Sequence, residues 1–229
     1  MSDNQTTAKE NITSQFPQTL LGGYARFKTS GLVENRERLQ HLAEKGQKPE
    51  TMVICCCDSR AAPETIFDAA PGDIFVVRNV ANIVPPHEAE GDNHSVSSAL
   101  EFAVQALGVK HVVVMGHARC GGIAAFRQKI TGDAMAPLSE GNFVGKWINL
   151  LDPVEQRIER VTSESAEDLQ RKIEEQNIAQ SVENLRTFPF ISSRIENDEL
   201  SVHGAWFDIS NGALWTMDAQ TGSFEQPAK

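Results

Sequence analysis

Apolar residues recur along this chain in two different rhythms. Leu20, Leu21, Tyr24 and Phe27 fall at helical spacing and predict a short helix from about 17 to 28. A second helical pattern follows Gly31, with Leu32, Leu39 and Leu42 set among charges, and stops near Gly46 ahead of Pro49. The rhythm then changes. Thr51–Cys56, Asp73–Arg78 and His111–Gly116 are short apolar runs, the pattern of strands buried on both faces. Between the last two, Ser95–Leu107 sets Val96, Ala99, Leu100, Ala103, Val104 and Leu107 on one helical face. Gly121-Gly122 opens a further helix through Ile123–Ile130. Ser165-x-x-Asp168, like a capping box with Asp in place of Glu or Gln, starts a long helix at roughly 166–187. Asn211-Gly212, between Ala205–Ile209 and Ala213–Met217, predicts a tight hairpin with a type I′ turn.

These elements add up to an α/β fold: a mostly parallel central sheet flanked by helices, with an antiparallel edge hairpin near the C-terminus. Residues 16–229 form one domain in this reading, 16–46 being a helical arm, and 1–15 a polar tail. At 229 residues, 40% hydrophobic and 23% charged, the composition is ordinary for a globular protein. The formal charge of −10 leaves no basic surplus to neutralise phosphates, which argues against nucleic-acid binding. No basic flank precedes an apolar core at the N-terminus, so neither a signal peptide nor a membrane span is expected. All four cysteines fall in two short segments, where a disulfide framework would scatter them. Clustered thiols of this kind suit a reducing compartment, and a cytoplasmic location is expected.

Those segments are Cys55-Cys56-Cys57-Asp58-Ser59-Arg60 and His117-Ala118-Arg119-Cys120-Gly121-Gly122. Cys56 ends one predicted strand and His117 directly follows another, and ligands in open α/β sheets sit beyond the C-terminal strand ends. Two thiolates and one imidazole would leave a zinc ion one open position, the mark of a catalytic rather than a structural site. Spacing alone does not say whether Cys55 and Cys57, or Cys56, face the metal. The two glycines let backbone approach a bound ion or small anion. Asp58 either coordinates the metal or pairs with Arg60, and the two roles exclude each other. An open zinc site lowers the pKa of bound water to about 7 and so makes hydroxide near neutral pH. Apolar Ile54, Phe75, Val80 and Ile83 suit a small uncharged electrophile. His87 and His94 are candidate proton-transfer groups.

Taken together, Cys56-x-Asp58-x-Arg60 and His117-x-x-Cys120-Gly121-Gly122 resemble the β-class carbonic anhydrases. The run Pro71–Asn82, the following Val84-Pro85-Pro86, Leu100–Val104, Asn184-Leu185 and His203-Gly204-Ala205 are similar to the plant-type branch. The resemblance implies zinc, one per chain, on Cys56, His117 and Cys120, with Asp58 a possible fourth ligand in a closed state. It implies that Asp58, paired with Arg60, orients zinc-bound hydroxide for reversible hydration of CO2 to bicarbonate. Gln47 matches a glutamine that reaches substrate across a dimer interface. Phe75, Val80 and Gly121 match the CO2 pocket. A homodimer or higher homo-oligomer is implied, with the 16–46 arm packed on a partner subunit. Two positions depart from the pattern: Phe102 stands for a tyrosine, and Val53 for a tryptophan that some members use in an inhibitory bicarbonate site. Other readings keep the residues and change the outcome: a carbon disulfide or carbonyl sulfide hydrolase, a structural zinc module with Asp58 as permanent ligand, or metal-free thiol chemistry.

Overall fold

The computed structural model describes residues 16–88, 94–133, 135–158 and 165–227. The tail expected at 1–15 lies outside them. The contacts divide the chain into two compact units, one ending at Gly46 and the other starting at Gln47. The first holds α1 (Gln18–Thr29) and α2 (Gly31–Lys45), neither of which contains a buried residue. The Thr29 and Ser30 hydroxyls donate back to the Arg26 carbonyl, which competes with the helical ladder where α1 stops. Gly46, at φ 81°, closes α2 with its N–H on the Leu42 carbonyl.

The second unit is built on a six-stranded sheet: β1 (Thr51–Cys56), β2 (Ile74–Asn79), β3 (His111–His117), β4 (Ser201–Asp208), β5 (Ala213–Met217) and β6 (Phe224–Glu225). Its order is β2-β1-β3-β4-β5-β6. The first four strands pair in parallel, while β5 and β6 add antiparallel edges. Helices in chain order are α3 (Pro63–Ile66), α4 (His94–Glu101), α5 (Gly121–Thr131), α6 (Phe143–Ile148), α7 (Asp152–Glu155), α8 (Ala166–Leu185) and α9 (Pro189–Glu196). The expected single helix over 95–107 is in fact α4 followed by a π-helical run, Phe102–Leu107, closed by left-handed Gly108. An Arg194 guanidinium N–H donates to the Val104 carbonyl within that widened turn.

The edge hairpin is present, but its turn is not type I′. Asp208 pairs with Ala213, leaving a four-residue loop in which only Gly212, at φ 75°, is left-handed. A type I′ turn needs positive φ at both central residues. Here Asp208 decides instead: its carboxylate takes the Ser210 N–H and hydroxyl, and its carbonyl takes the Gly212 N–H. β4 starts at Ser201, four residues before the expected Ala205. Ser201–Gly204 pairs along β3 despite its polar residues, because the backbone ladder there is continuous with the buried half.

Alternation in the strands sorts their side chains. Met52 and Ile54 of β1, with Val112 and Val114 of β3, join the core under α4, α8 and α9. Val53, Cys55 and Met115 face the opposite layer with Ile66 and Val76. A further cluster gathers Cys56, Ala81, Cys120, Ile123 and Phe126 around the strand ends. Full burial of a side chain such as Ile54 or Phe126 contributes about 1.5–3 kcal/mol. Helix α8 begins as its sequence suggests: the Ser165 hydroxyl accepts the Asp168 N–H. Its inward stripe is unusual because Glu174, Asn177 and Ser181 are buried beside Ile173, Ile178 and Leu185.

Candidate metal centre

Cys56 ends β1, His117 ends β3, and Cys120 caps α5, so three elements bring their donors to one end of the sheet. The chain runs from β1 to β2 on one side and then crosses to β3 on the other, which makes this strand end a topological switch point. The three donor atoms lie within 4.8 Å of one another, and all three residues are buried. The two sulfurs are 3.8 Å apart. A tetrahedral ion at about 2.3 Å from each of two thiolates would set them about 3.8 Å apart.

His117 adds a second indication. Its Nδ1 sits 2.9 Å from the Ala118 carbonyl, a contact that places the ring proton on that nitrogen. Nε2 is then a lone pair, and among the described residues it is buried without a hydrogen-bond partner. An orphaned buried nitrogen facing two thiols is a costly arrangement unless a cation completes it. Protonation follows the same logic. The Cys120 hydrogen bond pulls the Cys56 thiol well below its ordinary range against the effect of burial, and N–H groups of Asp58 and Ala81 help. Cys120 is pushed the opposite way by that same bond and by burial. Burial lowers His117, but its neighbour Cys56 outweighs this and the net shift is upward. A cation would displace the protons that this cluster otherwise shares.

The backbone around the cluster is strained. Arg119 (φ 58°), Ala81 (φ 65°) and Asn82 (φ 46°) are left-handed without being glycine, an arrangement that persists only where neighbours over-determine it. Asn177 donates to the Ala81 carbonyl at 2.7 Å, Ser181 accepts the Val84 N–H at 3.1 Å, and Asn184 donates to the Val84 carbonyl at 2.8 Å. One face of α8 thus fixes the segment after β2. Gly122 is required by close approach: a Cβ there would meet Val80 Cγ1 at 2.8 Å and Ala81 Cβ at 3.0 Å.

Beside the cluster, Arg60 grips Asp58 through Nε to Oδ1 (2.9 Å), Nη2 to Oδ2 (2.6 Å) and its own N–H to Oδ1 (3.0 Å). Asp58 Oδ2 also lies 3.8 Å from His117 Nε2. Hydrogen bonding to Arg60 holds the Asp58 carboxyl far below the usual carboxylate range. Arg78, which the sequence did not single out, donates to the carbonyls of Cys56 (2.9 Å) and Asp58 (2.7 Å) and so fixes the turn between them. Glu174, Gln170 and Trp206 behind Cys120 were missed as well. Glu174 and Gln170 read in sequence as part of a solvated helix face, so no local signal marked them.

Of the remaining expected site residues, Val80 and Gly121 line one cavity of about 400 Å³ with Gly122, Ala125, Leu138 and Val144. Phe75 is not on that wall; it packs on Phe102 with ring centroids 5.9 Å apart. Gln47 is exposed just before β1. Cys55 faces the other side of the sheet, where burial pushes its thiol up to about 12, and Cys57 is exposed. His87 packs edge-on against Phe188, and the His94 side chain lies outside the description.

The carbonic anhydrase family model matches residues 51–214, a span that includes the whole cluster and the Asp58–Arg60 pair. Beta carbonic anhydrase 3 of Arabidopsis thaliana is 33% identical over 224 residues, covering 96% of this chain and 82% of its own length. The chain belongs to the β-class carbonic anhydrases. The family's members are zinc lyases whose general reaction is CO2 hydration. Among solved structures, the β-carbonic anhydrase CcaA superposes with a TM-score of 0.80 at 28% identity, covering 92% of this chain and 98% of that one. A tetrameric β-carbonic anhydrase of Sordaria macrospora gives 0.74 at 29% identity, covering 88% and 96%. Among the described residues, no helix is long and apolar enough to cross a membrane.

Proposed function

We propose that this chain catalyses the reversible hydration of CO2 to bicarbonate and a proton, with zinc held by Cys56, His117 and Cys120. The observation that carries this reading is the buried donor trio with its orphaned imidazole nitrogen, next to a carboxylate that Arg60 keeps turned to itself. Bound there, zinc supplies a water acidic enough to act as a nucleophile near neutral pH.

The chain's own residues do the rest. Arg60 keeps Asp58 charged and occupied, so the carboxylate acts as a hydrogen-bond acceptor rather than a fourth ligand. Asp58 accepts the nucleophile's proton in a hydrogen bond and so aims its lone pair at the carbon. The apolar side chain of Val80 and the bare backbone at Gly121 suit a small uncharged molecule and leave its oxygens free for the Gln47 amide. Phe75 and Gln47 act across the interface of a homodimer, which fits their separation from the Val80–Gly121 cavity within one chain. A permanent structural site is disfavoured, because it has no use for a guanidinium that competes for Asp58. The four free thiols support a cytoplasmic location.

Stopped-flow CO2 hydration at roughly pH 6.5 to 9, with zinc measured on the same sample, tests the proposal. The expected result is one zinc per chain and turnover that rises with pH and disappears on chelation. Full zinc with no turnover at any of these pH values would overturn it and direct attention to carbon disulfide.

A further inference from the structure

Glu174 is a buried carboxylate, only 3% exposed. Its partners are all hydrogen-bond donors. Oε1 accepts the Cys120 backbone N–H at 3.0 Å and the Gln170 amide at 3.1 Å, and Oε2 accepts the Trp206 indole N–H at 3.0 Å. The Gln170 amide also reaches the Cys120 carbonyl at 3.3 Å. Both polar backbone groups of Cys120 are therefore held by side chains one turn apart on α8. The residue before Cys120 is the left-handed Arg119, so the turn carrying this sulfur is not one the local sequence favours by itself. Burying a carboxylate is costly, and an amide or an apolar residue could fill the same volume more cheaply.

We infer that Glu174 is a positioning residue: through its hydrogen bond to the Cys120 N–H it holds the Cys120 sulfur in place for the metal and slows metal release. This rests on the reading of Cys120 as a zinc ligand. Outer partners of this kind typically alter metal affinity by about 10–100-fold when removed. The geometry also says which part of the group matters. A glutamine at 174 keeps one oxygen for Cys120 and Gln170 but turns its NH2 toward the Trp206 N–H, donor against donor. Removing that N–H as well relieves the conflict.

The experiment measures zinc release from the full-length protein into excess chromogenic chelator, with thermal midpoints recorded for each variant. Glu174→Leu is expected to release zinc about 10–100-fold faster than wild type. Glu174→Gln combined with Trp206→Phe is expected to stay near the wild-type rate. Val182→Ala, a buried truncation on the same helix away from Cys120, controls for general loosening of α8. Release from Glu174→Leu no faster than from Val182→Ala overturns the inference, as does release from the double variant as fast as from Glu174→Leu. If Glu174→Leu does not fold, Glu174→Gln alone takes its place: zinc release faster than from the double variant supports the inference, and equal release overturns it. Wild-type protein that binds no zinc at all would instead sink the reading of the site itself.

Discussion

Asp58 receives three N–H donors from Arg60 alone, and that decides how it behaves with pH. Its folded pKa is depressed below the unfolded value of about 3.9, so the pairing contributes stability above that pH and loses it as acid takes the pH down through the folded value. Arg60→Gln removes most of the depression. The stability gap between wild type and variant, read from urea midpoints, should be open at neutral pH and close below about pH 4. A gap that widens in acid would contradict the pairing. For catalysis, Asp58→Ala should keep zinc while hydration falls by about 10²–10³-fold, as when one group aimed at the reacting centre is removed. Cys56→Ser should lose both zinc and activity, whereas Cys57→Ser should keep both, as metal analysis and turnover on the same samples will show. Spacing in the sequence supplied the ingredients for these statements but not the choice among the cysteines, which only the family resemblance made, in favour of Cys56. A triplet in a strand puts neighbours on opposite faces, and the spacing to His117 fits either face. The fold shows Cys56 meeting Cys120 while Cys55 packs with Val53 and Met115.

Among the elements, strands β1, β2 and β3 were legible because buried parallel strands are written as unbroken apolar runs. The hairpin loop was misread for the opposite reason. Asn211-Gly212 is a strong local signal, but the Asp208 carboxylate captures the Ser210 N–H and hydroxyl and reshapes the loop ahead of it. The polar stripe of α8 was hidden by its own content: Glu174, Asn177, Ser181 and Asn184 read as a solvated face until their partners are known. Those partners are backbone groups of Cys120, Ala81 and Val84, none adjacent in sequence. The close approach of α5 to the segment after β2 gives an element-scale test. Gly122→Ala should cost about 1–3 kcal/mol, since a Cβ there would meet fully buried Ala81 at 3.0 Å as well as Val80 Cγ1 at 2.8 Å. Ser165→Ala, which removes the α8 cap, should cost about 1 kcal/mol. The two differ in a second readout: the glycine variant should also weaken zinc retention, because the displaced Ala81 N–H serves Cys56, and the cap variant should not.

At the scale of the whole molecule, the arm is the element least able to account for itself. Leu20 is 58% exposed and Tyr24 59%, on a helix with no buried residue. Helices this short are marginal in water without tertiary packing, so an isolated arm of this composition would not be expected to hold its form. Gln47, the first residue beyond it, is expected to serve a substrate bound by another subunit. Both features have the same resolution if the active species is a homodimer or larger, with the apolar face of α1 covered by a second copy. The variant Leu20→Asp with Tyr24→Asp places two charges on that face without touching the cluster at the strand ends. Light scattering should then report a lower molar mass than for wild type. Zinc content should stay near one per chain, because Cys56, His117 and Cys120 all come from a single subunit. Hydration should fall sharply, because the pocket would lose its Gln47 and Phe75. An unchanged mass would show that α1 is not the contact. A reduced mass with full activity would show that each subunit completes its own pocket, and Gln47 would lose its proposed place beside the substrate.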